Sequence, residues 1–444
     1  MRLFSFFPWM RRFAPGFAIV SIALVLMAPL AACGGGSSSG SSTTSSGPVN
    51  LTYWSWIGGM DKQVALFNQN HPNIHVTVQN VGSGTVEYDK LFTAIKANNE
   101  PDIAEVEFQY LPQFETTSSL VDLSQYGGNS VKDQFPAWMW NQVTLGNGLY
   151  AVPQDGGPME LYYREDIFKK YNIPVPTTWA QYADDAAKLH AADPKVYMTH
   201  FNPRQPGQFV GFIWQNGGSL FSISGQSWKV SINSPQALQV ASYWQDLIDK
   251  KLVKVEPDFT NGWYNDLQTG TLASWVSAAW GNGILKQNAP QTAGKWRVAP
   301  LPQWQAGQNV SSNWGGSTTV VFKSTKHPQE ASVFAQWISA NEQSALIEFT
   351  TGAYPALLSA LSSPTMNSPQ PFFGNQVINQ VFSDSAKQVN VNFQWGPTTA
   401  QVYNDIGDQF ANAVNGHGTL SDGLNAVQQS TITYMKKQGF TVTT

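Results

Sequence analysis

Four turns set a tryptophan beside glycines: Trp56-Ile57-Gly58-Gly59, Trp214-Gln215-Asn216-Gly217-Gly218, Trp280-Gly281-Asn282-Gly283 and Trp314-Gly315-Gly316. Glycine carries no Cβ, so another backbone or a small ligand can come close to it. The neighbouring indole offers a flat, rigid apolar face with one N–H donor. Together they suit a polar ring such as a sugar, whose C–H face lies on the indole while its hydroxyls meet amides and carboxylates. The same turns also read as strand ends with packing tryptophans, and both readings stand at this level. The chain holds 17 tryptophans at only 12% charged residues, more indole than packing usually requires.

Other chemistry is harder to find. The chain has no Gly-rich phosphate loop ending in Lys, no G-x-G-x-x-G after a strand, no H-E-x-x-H and no G-x-S-x-G. Its six histidines are scattered, and Pro72 with the turn around it keeps His71 and His75 off a common helix face. A pair of carboxylates could hydrolyse a glycoside, but nothing local singles out a pair among 29 acids. One cysteine allows neither an internal disulfide nor a thiolate cluster. No cofactor and no metal are therefore expected. With 25 Lys+Arg against 29 Asp+Glu and no basic stripe, nucleic acid is not an expected partner.

Regular elements must hold the Trp-Gly turns. Residues 51–54 read as a strand, and Met60, Val64 and Phe67 follow at helical spacing. Ile74, Val76 and Val78 alternate with polar residues as a half-buried strand. A helix is expected over about 88–98 and a third strand over 102–108. This βαβαβ order gives a parallel sheet covered by helices. Ligands then sit beyond the carboxyl ends of the strands, which marks 55–59, 82–87 and 107–110 as the loops to watch. Further strands are expected over 148–153 and 159–163, and helices over 165–171, 235–250, 328–341, 399–415 and 421–438. Thr178 with Gln181 fits a capping box for another helix. No period of 20–50 residues repeats, so the chain is not a solenoid.

The amino end has its own pattern. Arg2, Arg11 and Arg12 precede or flank an apolar run over 13–29, interrupted only by Gly16 and Ser21 and closing on Leu30-Ala31-Ala32-Cys33. This is the layout of a secretory signal over 1–32. The run falls short of the roughly 20 residues of a membrane span, the alternative reading. Leu-Ala-Ala-Cys resembles the bacterial lipobox, which implies cleavage before Cys33, acylation of that residue and anchoring on the extracytoplasmic face of the cell membrane. Residues 33–48 then form a linker, whose Gly/Ser/Thr tract spans on the order of 20 Å. The roughly 400 residues that follow suggest two or three domains.

The body resembles the extracellular solute-binding proteins of sugar ABC importers, the family that includes maltose-binding protein. The residues that carry this are Gly148-Leu149-Tyr150-Ala151-Val152-Pro153, then Leu161-Tyr162-Tyr163-Arg164 through Phe168, then Pro176-Thr177-Thr178-Trp179. Arg164 stands where the family more often has Asn. Trp296 to Pro302 leading to Gly315-Gly316-Ser317, Pro101-Asp102-Ile103 and Tyr354-Pro355-Ala356 extend the match over almost all of 50–440. The resemblance implies a two-lobed α/β fold of the periplasmic-binding type II class, each lobe a sheet flanked by helices. One lobe takes 49–155 with 316–353, the other 156–315 with 354–444. Crossing strands are expected near Asp155, Trp314 and Tyr354.

What the resemblance implies for function is a binding protein rather than an enzyme. It would act as a monomer, holding a sugar or oligosaccharide between the lobes for permease subunits served by a separate ATPase. The residues assigned to the ligand are Trp56, Ser83, Glu107, Asp155, Trp214, Trp280, Trp314, Gly315, Gly316 and Tyr354. Trp280 and Trp314 are the expected stacking platforms, and Asp155 the expected hydroxyl acceptor near the hinge. Two alternatives remain: a surface-anchored glycoside hydrolase, and a receptor for a peptide, polyamine or metal chelate. The scarcity of basic residues near these loops argues against a strongly anionic ligand.

Overall fold

The computed structural model describes residues 47–443. The leader, Cys33 and the tract up to Ser46 lie outside the described residues. Among the described residues, no helix is long and apolar enough to cross a membrane.

Strands Val49–Trp54, Ile74–Gln79 and Ile103–Glu107 pair in parallel, with Val49–Trp54 in the centre. Each is followed by a helix or a helical turn on its way to the next, as the alternation of patterns requires. Helix Met60–Asn70 turns Met60, Val64 and Phe67 inward, the face expected from their spacing. Helix Thr85–Ala97 begins three residues earlier than expected, so the 82–87 loop is shorter than the sequence suggested. Two more strands complete this sheet: Ser317–Val321 runs antiparallel between Ile103–Glu107 on one side and Ala151–Pro153 on the other. The chain therefore leaves this lobe and returns more than 150 residues later. Helices Pro328–Ala340 and Glu342–Thr350 cover the returning strand's side of the core, where Phe334 meets Tyr53 and Phe67 edge-on.

The second lobe is built on Met159–Arg164, flanked antiparallel by Ser274–Ala278 and Trp296–Pro300. Helices Trp179–Ala192, Pro206–Gln215, Pro235–Asp249, Ile378–Lys387, Thr399–Val414 and Leu420–Lys437 pack around it. Here the tryptophans mostly pack. Trp179, Trp214, Trp244, Trp263, Trp275 and Trp296 are all fully buried. At the start of helix Trp179–Ala192, Thr178 Oγ1 accepts the Gln181 N–H. The Gln181 side chain, however, caps the N–H of Thr177 rather than that of Thr178, one residue off a true capping box.

Three segments run side by side between the lobes. The Gly156 N–H donates to the Tyr354 carbonyl at 2.9 Å, and that of Ala356 to Gln154 at 3.0 Å. On the other flank the Trp314 N–H donates to the Gly157 carbonyl at 2.8 Å, while the Gly157 N–H donates to Asn313 Oδ1. The segments lie so close that a Cβ on Gly157 would sit 2.0 Å from the Trp314 carbonyl oxygen. Only glycine fits there, which gives Gly157 a physical reason at the crossing.

Candidate functional site

Beside these crossings lies a cleft of about 340 Å³ with walls from both lobes. The first lobe contributes residues at the carboxyl ends of its strands, where the parallel order directs loops to one edge. Trp56 and Ile57 follow Val49–Trp54, and Glu107, Gln109 and Tyr110 follow Ile103–Glu107. Asp155, Trp314, Gly315, Gly316 and Ser317 come from the crossings. The second lobe contributes Gln205, Gly207, Phe259, Trp280 and Tyr403.

Two indoles form a corner of this cleft. The Trp280 and Trp314 rings lie 4.8 Å apart at 70°, edge to face. The Trp280 Nε1–H donates to the Trp314 carbonyl at 2.9 Å, so its N–H is engaged and its face is what it offers a ligand. Trp314 is mostly buried, its ring over Gly207, where a Cβ would approach Nε1 to 2.6 Å. Trp56 is half-buried and meets Tyr88 edge-on.

Buried acids surround the corner. Glu107 accepts from Gln109 Nε2 at 2.8 Å and from the Tyr88 hydroxyl at 3.0 Å, and burial raises its pKa. Burial also pushes Asp155 up to about 7, with the Ser317 N–H opposing and the charge of Glu107 adding to the rise. Behind them Glu105 is fully buried. Its carboxylate accepts from Ser55 Oγ at 2.6 Å, Ser317 Oγ at 2.7 Å and the Trp56 N–H at 3.0 Å. Burial still drives it up to about 8 against those hydrogen bonds. Glu105 thus fixes the loop that carries Trp56 and the crossing that carries Ser317. Among the described residues, no group of three or more His, Cys, Asp or Glu is arranged to hold a metal ion.

Residues 53–345 match the family of bacterial extracellular solute-binding proteins. The chain belongs to that family. This solute-binding protein is 26% identical to a lactose-binding protein of Rhizobium radiobacter, over 76% of this chain and 82% of the relative. It is 25% identical to an arabinooligosaccharide-binding protein of Bacillus subtilis, over 72% and 76%. Among solved structures, the galacto-N-biose-/lacto-N-biose I-binding protein of Bifidobacterium longum superposes with a TM-score of 0.82. Identity there is 26%, and coverage is 89% of this chain and 99% of that one. A transporter-associated binding protein of B. animalis subsp. lactis, in complex with β-1,6-galactobiose, gives a TM-score of 0.79 at 29% identity, with 89% and 100% covered. The architecture is the two-lobed periplasmic-binding type that the resemblance implies, and the family is one of binding proteins rather than enzymes.

Seven residues singled out in the sequence line the cleft of this solute-binding protein: Trp56, Glu107, Asp155, Trp280, Trp314, Gly315 and Gly316. Three do not. Ser83 is exposed just ahead of helix Thr85–Ala97. Trp214 is buried, stacked on Phe393 at 4.2 Å with its N–H given to the Asn390 carbonyl. Its Gly-rich turn ends a helix rather than opening on a cavity. The Tyr354 ring is in the second lobe's core, edge-on to Phe382, and only its backbone joins the crossing. A tryptophan beside glycines looks the same in sequence whether the turn faces a cleft or a core.

Phe259 is the cleft residue with least sequence signal. It is 37% exposed, and its φ of 56° is in the left-handed region, where a bulky residue is strained. The ring lies 6.3 Å from Trp280 and extends the aromatic corner. Strain of about 1–3 kcal/mol of this kind collects at ligand clamps. Phe259→Gly should therefore lower sugar affinity about tenfold while changing folding stability by no more than about 1 kcal/mol, since relief of strain offsets lost packing. Titration calorimetry and urea unfolding check the two halves. A loss of about 3–5 kcal/mol in stability, the cost of emptying a core site, would mark Phe259 as a packing residue instead.

Proposed function

We propose that this protein captures a neutral sugar or short oligosaccharide between its lobes and delivers it to a membrane permease driven by a separate ATPase. The observation that carries this reading is the Trp280–Trp314 corner beside the carboxyls of Glu107 and Asp155. Apolar faces and hydroxyl acceptors then meet in one cleft between the two lobes. The ligand touches both lobes, so it favours the closed arrangement and shifts the population toward it. The sugars bound by the relatives support the same class.

Binding rather than turnover is the role of the two cleft carboxyls. Glu107 accepts from Gln109 and Tyr88, and Asp155 from Ser317, which fixes their oxygens at the cleft wall as partners for ligand hydroxyls. The protein works as a monomer, held by a lipid on Cys33 after removal of 1–32. The tether keeps loaded receptor near the permease and raises its effective concentration there.

A thermal-shift screen tests the reading, because a ligand of the native state raises Tm. Lactose, maltose, lacto-N-biose, β-1,6-galactobiose and arabino-oligosaccharides form the panel. A rise with at least one of them is expected. A rise only with peptides or polyamines, or release of monosaccharide from any glycoside, would replace it. The tether has a separate check by cell fractionation. Cys33→Ala should move the protein from the membrane fraction to the soluble one while the purified body binds sugar as before; a membrane-bound variant would contradict lipidation.

A further inference from the structure

Two loops of the second lobe line the cleft, one through Gln205 and Gly207, the other through Phe259. Both start from one place. Strands His200–Phe201 and Lys254–Val255 run in parallel, with His200 opposite Lys254 and Phe201 opposite Val255. The chain therefore leaves both strands at the same end. One side chain reaches across from the first loop to the second. Asn202, the residue after Phe201, donates from Nδ2 to Asp258 Oδ1 at 2.6 Å. Its own Oδ1 accepts the Arg204 N–H at 2.9 Å, and its carbonyl accepts the Gln205 N–H at 3.2 Å. Asn202 thus shapes the turn that ends at Gln205 and, with the same amide, holds the other loop one residue ahead of Phe259.

Asp258 depends on that bond. Its side chain is buried, and Oδ2 has no hydrogen-bond partner among the described residues. The Nε2 of the buried His200 is 3.8 Å away, beyond hydrogen-bond range. On the other side of Phe259, Thr260 Oγ1 accepts the Trp263 N–H and caps helix Asn261–Thr269. Phe259, at a φ of 56°, therefore stands between two anchored neighbours. A bulky residue keeps such a backbone only where its surroundings over-determine it. Here the two anchors do so, and they set the ring 6.3 Å from Trp280.

From this we infer that Asn202 is a positioning residue for the ligand: through Asp258 it ties the Gln205 loop to the Phe259 loop and holds both in the arrangement that meets a sugar. This rests on the sugar reading above and adds what preorganises the second lobe's half of the cleft. Loops already tied spare the ligand the entropy of ordering them.

Three variants test the tie. Asn202→Asp keeps the oxygen that accepts the Arg204 N–H but turns an oxygen, not an N–H, toward Asp258. Asp258→Ala removes the acceptor and leaves the half-buried Asn202 amide in place. The double variant Asn202→Asp/Asp258→Asn restores the bond with donor and acceptor exchanged. Each is titrated calorimetrically at about pH 8, above the ordinary carboxyl range, with the sugar that gives wild type its largest thermal shift. Both single variants should bind about tenfold more weakly, and the double variant should return to within about threefold of wild type. In the unliganded proteins, amide hydrogen exchange over 204–207 and 258–261 should quicken in the single variants and slow again in the double one. Wild-type affinity in both single variants overturns the positioning role. So does a double variant that melts like wild type yet binds as weakly as the single ones. If wild type binds no sugar, the sugar reading fails by itself and exchange decides the tie: unchanged rates in both loops overturn it.

Discussion

Trp280→Ala weakens sugar binding by about 10–100-fold. The side chain gives one face to the cleft and fixes its own plane by the Nε1–H bond to the Trp314 carbonyl. Removing an aromatic platform that a ligand covers forfeits about 1.5–3 kcal/mol, which corresponds to that fold-change in Kd. Trp280→Phe keeps a face but loses the bond, so its Kd falls between wild type and alanine. Trp314→Ala weakens binding by a similar factor but also costs stability, because that ring is packed over Gly207 and is only 7% exposed. Calorimetric Kd values alongside circular-dichroism melts separate the two effects. Retention of wild-type affinity within twofold by both alanine variants would mean that the indoles of this corner are structural.

The second large effect is a fall in stability as pH rises. Glu87 is fully buried and neither of its carboxyl oxygens has a partner. Burial, reinforced by the nearby Glu105, raises it to about 9, with Lys90 pulling the other way. Glu105 is raised to about 8 and Asp155 to about 7. In the unfolded chain these groups titrate near 4. Between about pH 4 and pH 9 the native state therefore holds more protons than the unfolded one, and the slope of stability against pH is negative. Their neutral forms favour folding most at the acid end, and that advantage is lost as pH climbs through 7, 8 and 9. The melting temperature should drop steadily from pH 5 to pH 9. Glu87→Gln keeps shape and neutrality without titrating. It should match wild type at pH 5 and melt higher at pH 9. A wild-type Tm that is flat or rising over that range would show that these carboxyls are ionised in the native state.

The elements were legible because their causes are local. The face of Met60, Val64 and Phe67, the strand alternation over Ile74 to Val78 and the proline opening Pro328–Ala340 all depend on neighbours a few residues away. Boundaries slipped where local signals compete. The strand expected over 148–153 is two short pieces, Gly148–Leu149 and Ala151–Pro153, paired to different partners. Gly82 and Gly84, both at positive φ, bring the chain into helix Thr85–Ala97 earlier than its apolar spacing indicates.

The cleft was legible only in part. Trp56 and Glu107 follow from the rule that loops at the carboxyl ends of parallel strands gather at one edge, and Gln109 and Tyr110 lie in the same watched loop. Gln205, Phe259 and Tyr403 carry no such mark. They come from three separate stretches of the second lobe and reach the cleft only because that lobe folds back across the crossings.

By itself the sequence determined the class of residue available for binding: many indoles, few charges, few basic residues near the candidate loops, and the glycines that crossing strands need. Which indoles meet a ligand was decided by tertiary structure alone. Trp214 and Trp280 sit in near-identical Trp-Gly settings, yet one is stacked on Phe393 in the core and the other on the cleft wall. The physical reason is that burial is a long-range property. It depends on which surfaces the return of Ser317–Val321 and the packing of the second lobe cover, and composition within a turn carries no record of that.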